Sequence, residues 1–241
     1  MLRAGSRAGR ESRICLGSAA LGTMGRTDEL RQQLNSPRAA AIAGILFSAL
    51  TISTHLLIQG SITANPAVSA TEVLNHSKTI LLALNLVPLA GIAFLWFIGV
   101  FRDHVGKHED RLFASVFFGS GVLYVAMLFA SSALAGGLLG VMSGGAQNLV
   151  SSGSYALTRM EIRQITTVYA IRMAGVFIIT TSTISLRTRV MPRWLALLGY
   201  LAALVLLLGV GASAWSPLVF PAWVFVISVW ILVQRFQGTS N

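Results

Sequence analysis

Few side chains in this sequence can do chemistry, and the ones that can fall at related positions. Arg172 stands inside an apolar stretch, residues 165–186, and Tyr169 lies three residues before it with Thr166 close by. His55 comes near the end of an earlier apolar stretch and Asn85 near the start of another. A cation, a phenol, an imidazole and an amide can together bind a polar solute or a lipid head group. A charge at membrane depth commonly marks a functional site. The competing account of Arg172 is mechanical. Helical side chains lean toward the helix N-terminus, so a long arginine can carry its guanidinium to water and leave its stem in lipid.

Asp103-His104 and His108-Glu109-Asp110 resemble metal-ligand material, because the two histidines are four apart and would share a helix face. Gly106 lies between them, and the pattern that couples two histidines to a catalytic glutamate is missing. His104 and His108 are therefore weak metal candidates, and a solvated turn is the favoured reading. No Asp/Glu pair lies in an apolar stretch, and there is no Gly-x-Ser-x-Gly and no phosphate-cradling loop. These features point away from an enzyme and imply no cofactor. The missing membrane carboxylate also argues against a proton- or sodium-driven carrier.

The elements that carry these residues are set by composition. Of 241 residues 54% are hydrophobic and only 11% charged, with mean hydropathy +0.72. Soluble domains carry about 25% charged residues. Roughly 20 apolar residues at ~1.5 Å rise cross a bilayer. Six stretches meet that need, over about 39–59, 79–101, 112–135, 165–186, 194–211 and 217–233. The expected fold is an all-α, polytopic integral membrane helical bundle. Ser36-Pro37 reads as cap and first residue of the first helix, and Gly44 with Ser48 forms a small-xxx-small packing pair. Trp96, Phe97 and Phe101 read as an interfacial aromatic anchor. Thr180, Thr181, Ser182, Thr183 and Ser185 form a hydroxyl run expected to bond back to carbonyls of its own helix. Residues 60–78 read as a polar loop with a short helix near 71–76. Residues 136–164 read as the longest connection, rich in Gly and Ser, whose apolar piece 138–142 is too short to cross.

Six spans place both termini on one side, and charge says which. Fourteen of the eighteen Lys and Arg fall on the N-terminal side and three on the other, with Arg172 between. By the positive-inside rule both termini are cytoplasmic, in a cell inner (plasma) membrane. His55, Asn85 and Arg172 then lie toward the outer third at similar depth, together with Ser131 and Ser132. The net charge of +10 is explained by topology, so nucleic acid is not an expected partner; basic residues are not interleaved with aromatics as stacking platforms require. The lone Cys15 excludes an internal disulfide. Residues 1–36 form a basic, largely disordered tail. Met24 is a candidate true start, with Thr27 capping a short helix over 28–34. Residues 234–241 form a polar tail.

Arg187, Pro192-Arg193-Trp194-Leu195 and Leu198-Gly199 resemble the fourth-to-fifth helix junction of an uncharacterised family of small six-helix bacterial membrane proteins. The resemblance runs mainly over 165–233. It implies a six-helix membrane protein and transfers no active site. Two functions are expected from the whole. One is a non-enzymatic accessory or assembly role, with the lipid bilayer and a second copy or another membrane protein as partners. The alternative is small-solute or lipid binding or transport through an outward-facing polar pocket around Arg172.

Overall fold

Apolar runs punctuated by proline and short polar pieces fold here into helices. The computed structural model describes residues 37–61, 70–105, 111–144, 153–188, 191–209 and 215–237. The tail with Met24, the helix expected over 28–34, Asn65-Pro66 and His108 lie outside the described residues. Helix α1 spans Pro37–Ser61, α2 Ala70–Asn75, α3 Ser77–Val105 and α4 Arg111–Ser143. Helix α5, Ser154–Gln164, passes through a π-helical turn, Ile165–Ala170, into α6, Ile171–Thr188. Helices α7, Arg193–Leu208, and α8, Ser216–Gln237, complete the described elements. Among the described residues there is no strand.

Among the described residues five helical segments are long and apolar enough to cross a membrane: Arg38–Gln59, Ser77–Arg102, Leu112–Ser143, Ser154–Thr188 and Ser216–Gln234. Helix α7 is equally apolar but has 16 residues, about 24 Å at ~1.5 Å per residue. This is the architecture of a multi-pass membrane protein.

Pro37 opens α1 as the sequence predicts, where its missing N–H costs nothing. Pro88 and Pro221 are both taken inside continuous helices. The connection expected over 136–164 is different. Helix α4 continues through Gly136, Gly137 and Gly140 to Ser143, and α5 begins already at Ser154. Gly153, at φ 74°, makes the turn into α5 in the left-handed region that favours glycine.

The helices pack as neighbours in a ring. Helix α1 lies between α3 and α8, α4 between α3 and α6, and α7 chiefly on α6 with lighter contact to α8. Contacts at the helix ends fix the alternation. Arg187, ending α6, lies 4.6 Å above the Phe113 ring at the start of α4, and Arg102 lies 5.4 Å from the Phe118 ring. At the opposite end Thr54 donates to the Ala83 carbonyl at 3.5 Å, and His55 packs against Trp215.

The axis of the ring is filled by aromatic side chains. Phe94 touches Phe47, Tyr124, Phe177 and Phe220 at centroid separations of 4.5, 5.6, 5.2 and 5.4 Å. Phe177 stacks on Phe117 at 4.7 Å. In lipid, moving apolar surface from acyl chains to protein gains little, so close packing itself must hold such helices together. Tilted and edge-to-face rings supply it. Phe97 and Phe101 belong to this core, at 0% and 4% exposure, and of the expected aromatic anchor only Trp96 faces outward. Trp194 and Trp215 are exposed as well, near helix ends where amphipathic rings favour an interface.

Candidate functional site

The four polar residues singled out from the sequence sit on the outside of the ring or at its rim. Arg172, Asn85 and Tyr169 are exposed side chains. Among the described residues Arg172 makes no hydrogen bond or ion pair. His55 is half-buried; the Gln59 amide donates to its ring nitrogen over 3.4 Å, and its ring centroid lies 6.4 Å from that of Trp215. Of the two histidines near the end of α3, His104 falls in its last turn and His108 outside the described residues. Among the described residues no group of three His, Cys, Asp or Glu side chains could hold a metal.

Toward the end marked by His55 and Trp215 the bundle encloses a cavity of about 20 Å³, lined by Tyr124 from α4, Thr166 and Ala170 from the π turn, Leu206 from α7, and Ser216 and Phe220 from α8. A space of this size holds roughly one water. Three hydroxyl-bearing residues border it, but the Thr166 hydroxyl already donates to the Ile162 carbonyl at 2.9 Å. A π turn widens the helix by one residue and often marks a functional position; here it forms one wall. Thr166 stands out in the sequence beside Tyr169. Tyr124 does not, because its only signal is a lone phenol in an otherwise apolar run. The π turn leaves no mark in the apolar spacing.

Toward the other end the hydroxyl run behaves as expected with one exception. Thr180, Thr181, Thr183, Ser185 and Thr188 each donate to the carbonyl four residues back, at 2.7 to 2.9 Å. Thr183 also shares a 2.7 Å hydrogen bond with Tyr200 of α7. Ser182 makes no such bond. Its hydroxyl is buried without a partner against Gly199 of α7, and the indole nitrogen of Trp223, also unpartnered, meets the same glycine. The contact repeats elsewhere, where Ser228 of α8 places an unpartnered hydroxyl over Gly44 of α1. Oxygen over a glycine Cα is the geometry of a weak Cα–H···O bond between close helices. These polar groups join helices; they do not surround an open site.

No family model, curated protein or solved structure matches the chain.

Proposed function

We propose that the chain is a six-span protein of the cell inner (plasma) membrane with both termini cytoplasmic, and that it serves as an accessory or assembly partner acting through its outward helix faces. The charge imbalance between the two sides supports the orientation. It requires the 16-residue α7 to cross, helped by local thinning of the bilayer, which costs fractions of a kcal/mol per Å of mismatch. The resemblance to small six-helix bacterial membrane proteins over 165–233 agrees with this reading and adds no activity.

One observation carries the functional half. Rings of Phe47, Phe94, Tyr124, Phe177 and Phe220 occupy the bundle axis, where a solute path through the helices would run. The alternative, a ligand site around Arg172, has less in its favour, because Arg172, Asn85 and Tyr169 all point outward. Mass measurement after mild detergent extraction tests the proposal. The expected result is a stable complex of defined mass above the 25.7 kDa chain, formed with a second copy or another membrane protein. A lone monomer under conditions that preserve membrane complexes contradicts it, as does loss of solute uptake or binding in Arg172→Gln proteoliposomes.

A further inference from the structure

Tyr124 is the member of the aromatic axis that carries a polar atom. Its ring is fixed in place. Phe220, Phe94 and Phe47 approach it edge-on, at centroid separations of 4.6, 5.6 and 6.3 Å, and the residue is 4% exposed. The hydroxyl therefore cannot swing out of the bundle. Among the described residues it makes no hydrogen bond. A buried donor left in that state costs about as much as a lost hydrogen bond, and folded interiors rarely accept it. The hydroxyls of Ser182 and Ser228 are sealed against neighbouring helices. Tyr124 differs from them, because it borders the cavity of about 20 Å³.

Two further hydroxyls meet that cavity from other elements: Thr166 in the π turn and Ser216 at the start of α8. The Thr166 hydroxyl spends its proton on the Ile162 carbonyl at 2.9 Å, which leaves its oxygen able to accept. The Ser216 oxygen can accept as well. Among the described residues every other group lining the cavity is apolar, and no charged side chain lines it. An ion would find no counter-charge there, and three hydroxyls fall short of the roughly six oxygens that a hard cation takes. The volume excludes a solute of several heavy atoms and admits one water. A buried water makes about three hydrogen bonds. One phenol donor and two hydroxyl acceptors, carried by three separate elements, match that need.

We propose that the cavity binds one structural water, which accepts from the Tyr124 hydroxyl and donates to the oxygens of Thr166 and Ser216. The water ties α4, the π turn and α8 together beside the aromatic axis. The site goes beyond the accessory role and does not depend on it. X-ray radiolysis of the full chain in detergent micelles, read by mass spectrometry, tests it, because hydroxyl radicals then form from bound water inside the protein and oxidise the side chains that touch it. Tyr124 is expected to be oxidised, while the equally enclosed Phe94 and Phe177 stay intact. Ala170→Val adds two methyl groups to the cavity wall; Tyr124 then loses its oxidation, and the exposed Tyr169 keeps its own. Tyr124→Phe adds no bulk and decides the case by the sign of its effect. Losing a water-bonded hydroxyl lowers the midpoint of thermal unfolding, whereas removing an unpartnered one from a dry cavity leaves it unchanged or raises it. An intact Tyr124 in the wild type, oxidation of Phe94 and Phe177 to the same degree, unchanged oxidation of Tyr124 in Ala170→Val, or a midpoint in Tyr124→Phe at or above that of the wild type overturns the proposal.

Discussion

Where Ser182 crosses Gly199 and Ser228 crosses Gly44, two helix pairs approach so closely that a methyl group cannot fit. At Gly44 the next atoms are those of the fully buried Phe97 ring, at 3.0 Å, so turning the Ser228 hydroxyl aside would still leave the ring in the way. Gly44→Ala and Gly199→Ala are each expected to cost about 1–3 kcal/mol as overpacking, read as a lower midpoint of thermal unfolding in detergent. Gly99 and Gly119 face open space, so alanine there should be neutral or raise the midpoint, since alanine favours helix over glycine by about 1 kcal/mol. Equal shifts at all four positions would refute the assignment of seams. Because the Ser182 hydroxyl has no partner to lose, Ser182→Ala should be nearly neutral alone and should restore part of the loss in Gly199→Ala. Tyr200→Phe removes the bond to Thr183, which keeps its carbonyl partner in Ile179; the expected cost is therefore small, about 0.5 kcal/mol. The hydroxyl run and the pair Gly44 and Ser48 are both visible in the sequence. Which hydroxyl departs from the run is not, because only the approach of α7 decides it.

Helix α4 shows how tertiary contact overrides local preference. Gly136, Gly137 and Gly140 each disfavour helix by up to about 1 kcal/mol, and the sequence alone ends the helix before them. Leu139 and Met142 are nonetheless buried, at 4% and 7% exposure, where α2 and α5 lie against α4. Leu139→Ala should therefore release the end of α4. Hydrogen exchange should accelerate over 136–143 and stay unchanged over 112–130; uniform acceleration would mean that the last turns are not held separately. The π turn belongs to the same scale. Deleting Thr167 removes the extra residue that the turn absorbs, so the segment should relax to α-helix with α5 keeping its facing relative to α6. Thr158 then stays at the groove that it lines with Gly137 between α4 and α5, and a short bismaleimide should still link Gly137→Cys to Thr158→Cys. Loss of linking would show that the π turn does not absorb a single extra residue.

For the whole molecule, the helical class, the long apolar segments and the short helix before α3 can be read from sequence, because length, hydropathy and proline placement act locally. The ring order, the aromatic axis and the outward facing of Arg172 and Asn85 cannot, because every apolar span has several faces of similar hydropathy. Phe97 and Phe101 illustrate the limit. They follow Trp96 as an interfacial anchor would, yet only Trp96 meets the outside. Among the described residues Arg172 meets no partner, and in the proposed orientation a lean toward the helix N-terminus would take it toward water. The central claim is that α7 crosses, making six spans, with both termini cytoplasmic and the α4–α5 groove on the far side. Impermeant maleimide labelling of intact cells tests it most directly, using single cysteines at Ser36, Ser154 and Ser240 in a Cys15→Ser background. The account predicts labelling of Ser154→Cys in intact cells, and of Ser36→Cys and Ser240→Cys only after permeabilisation. Labelling of one terminus but not the other in intact cells would leave five crossings and contradict it.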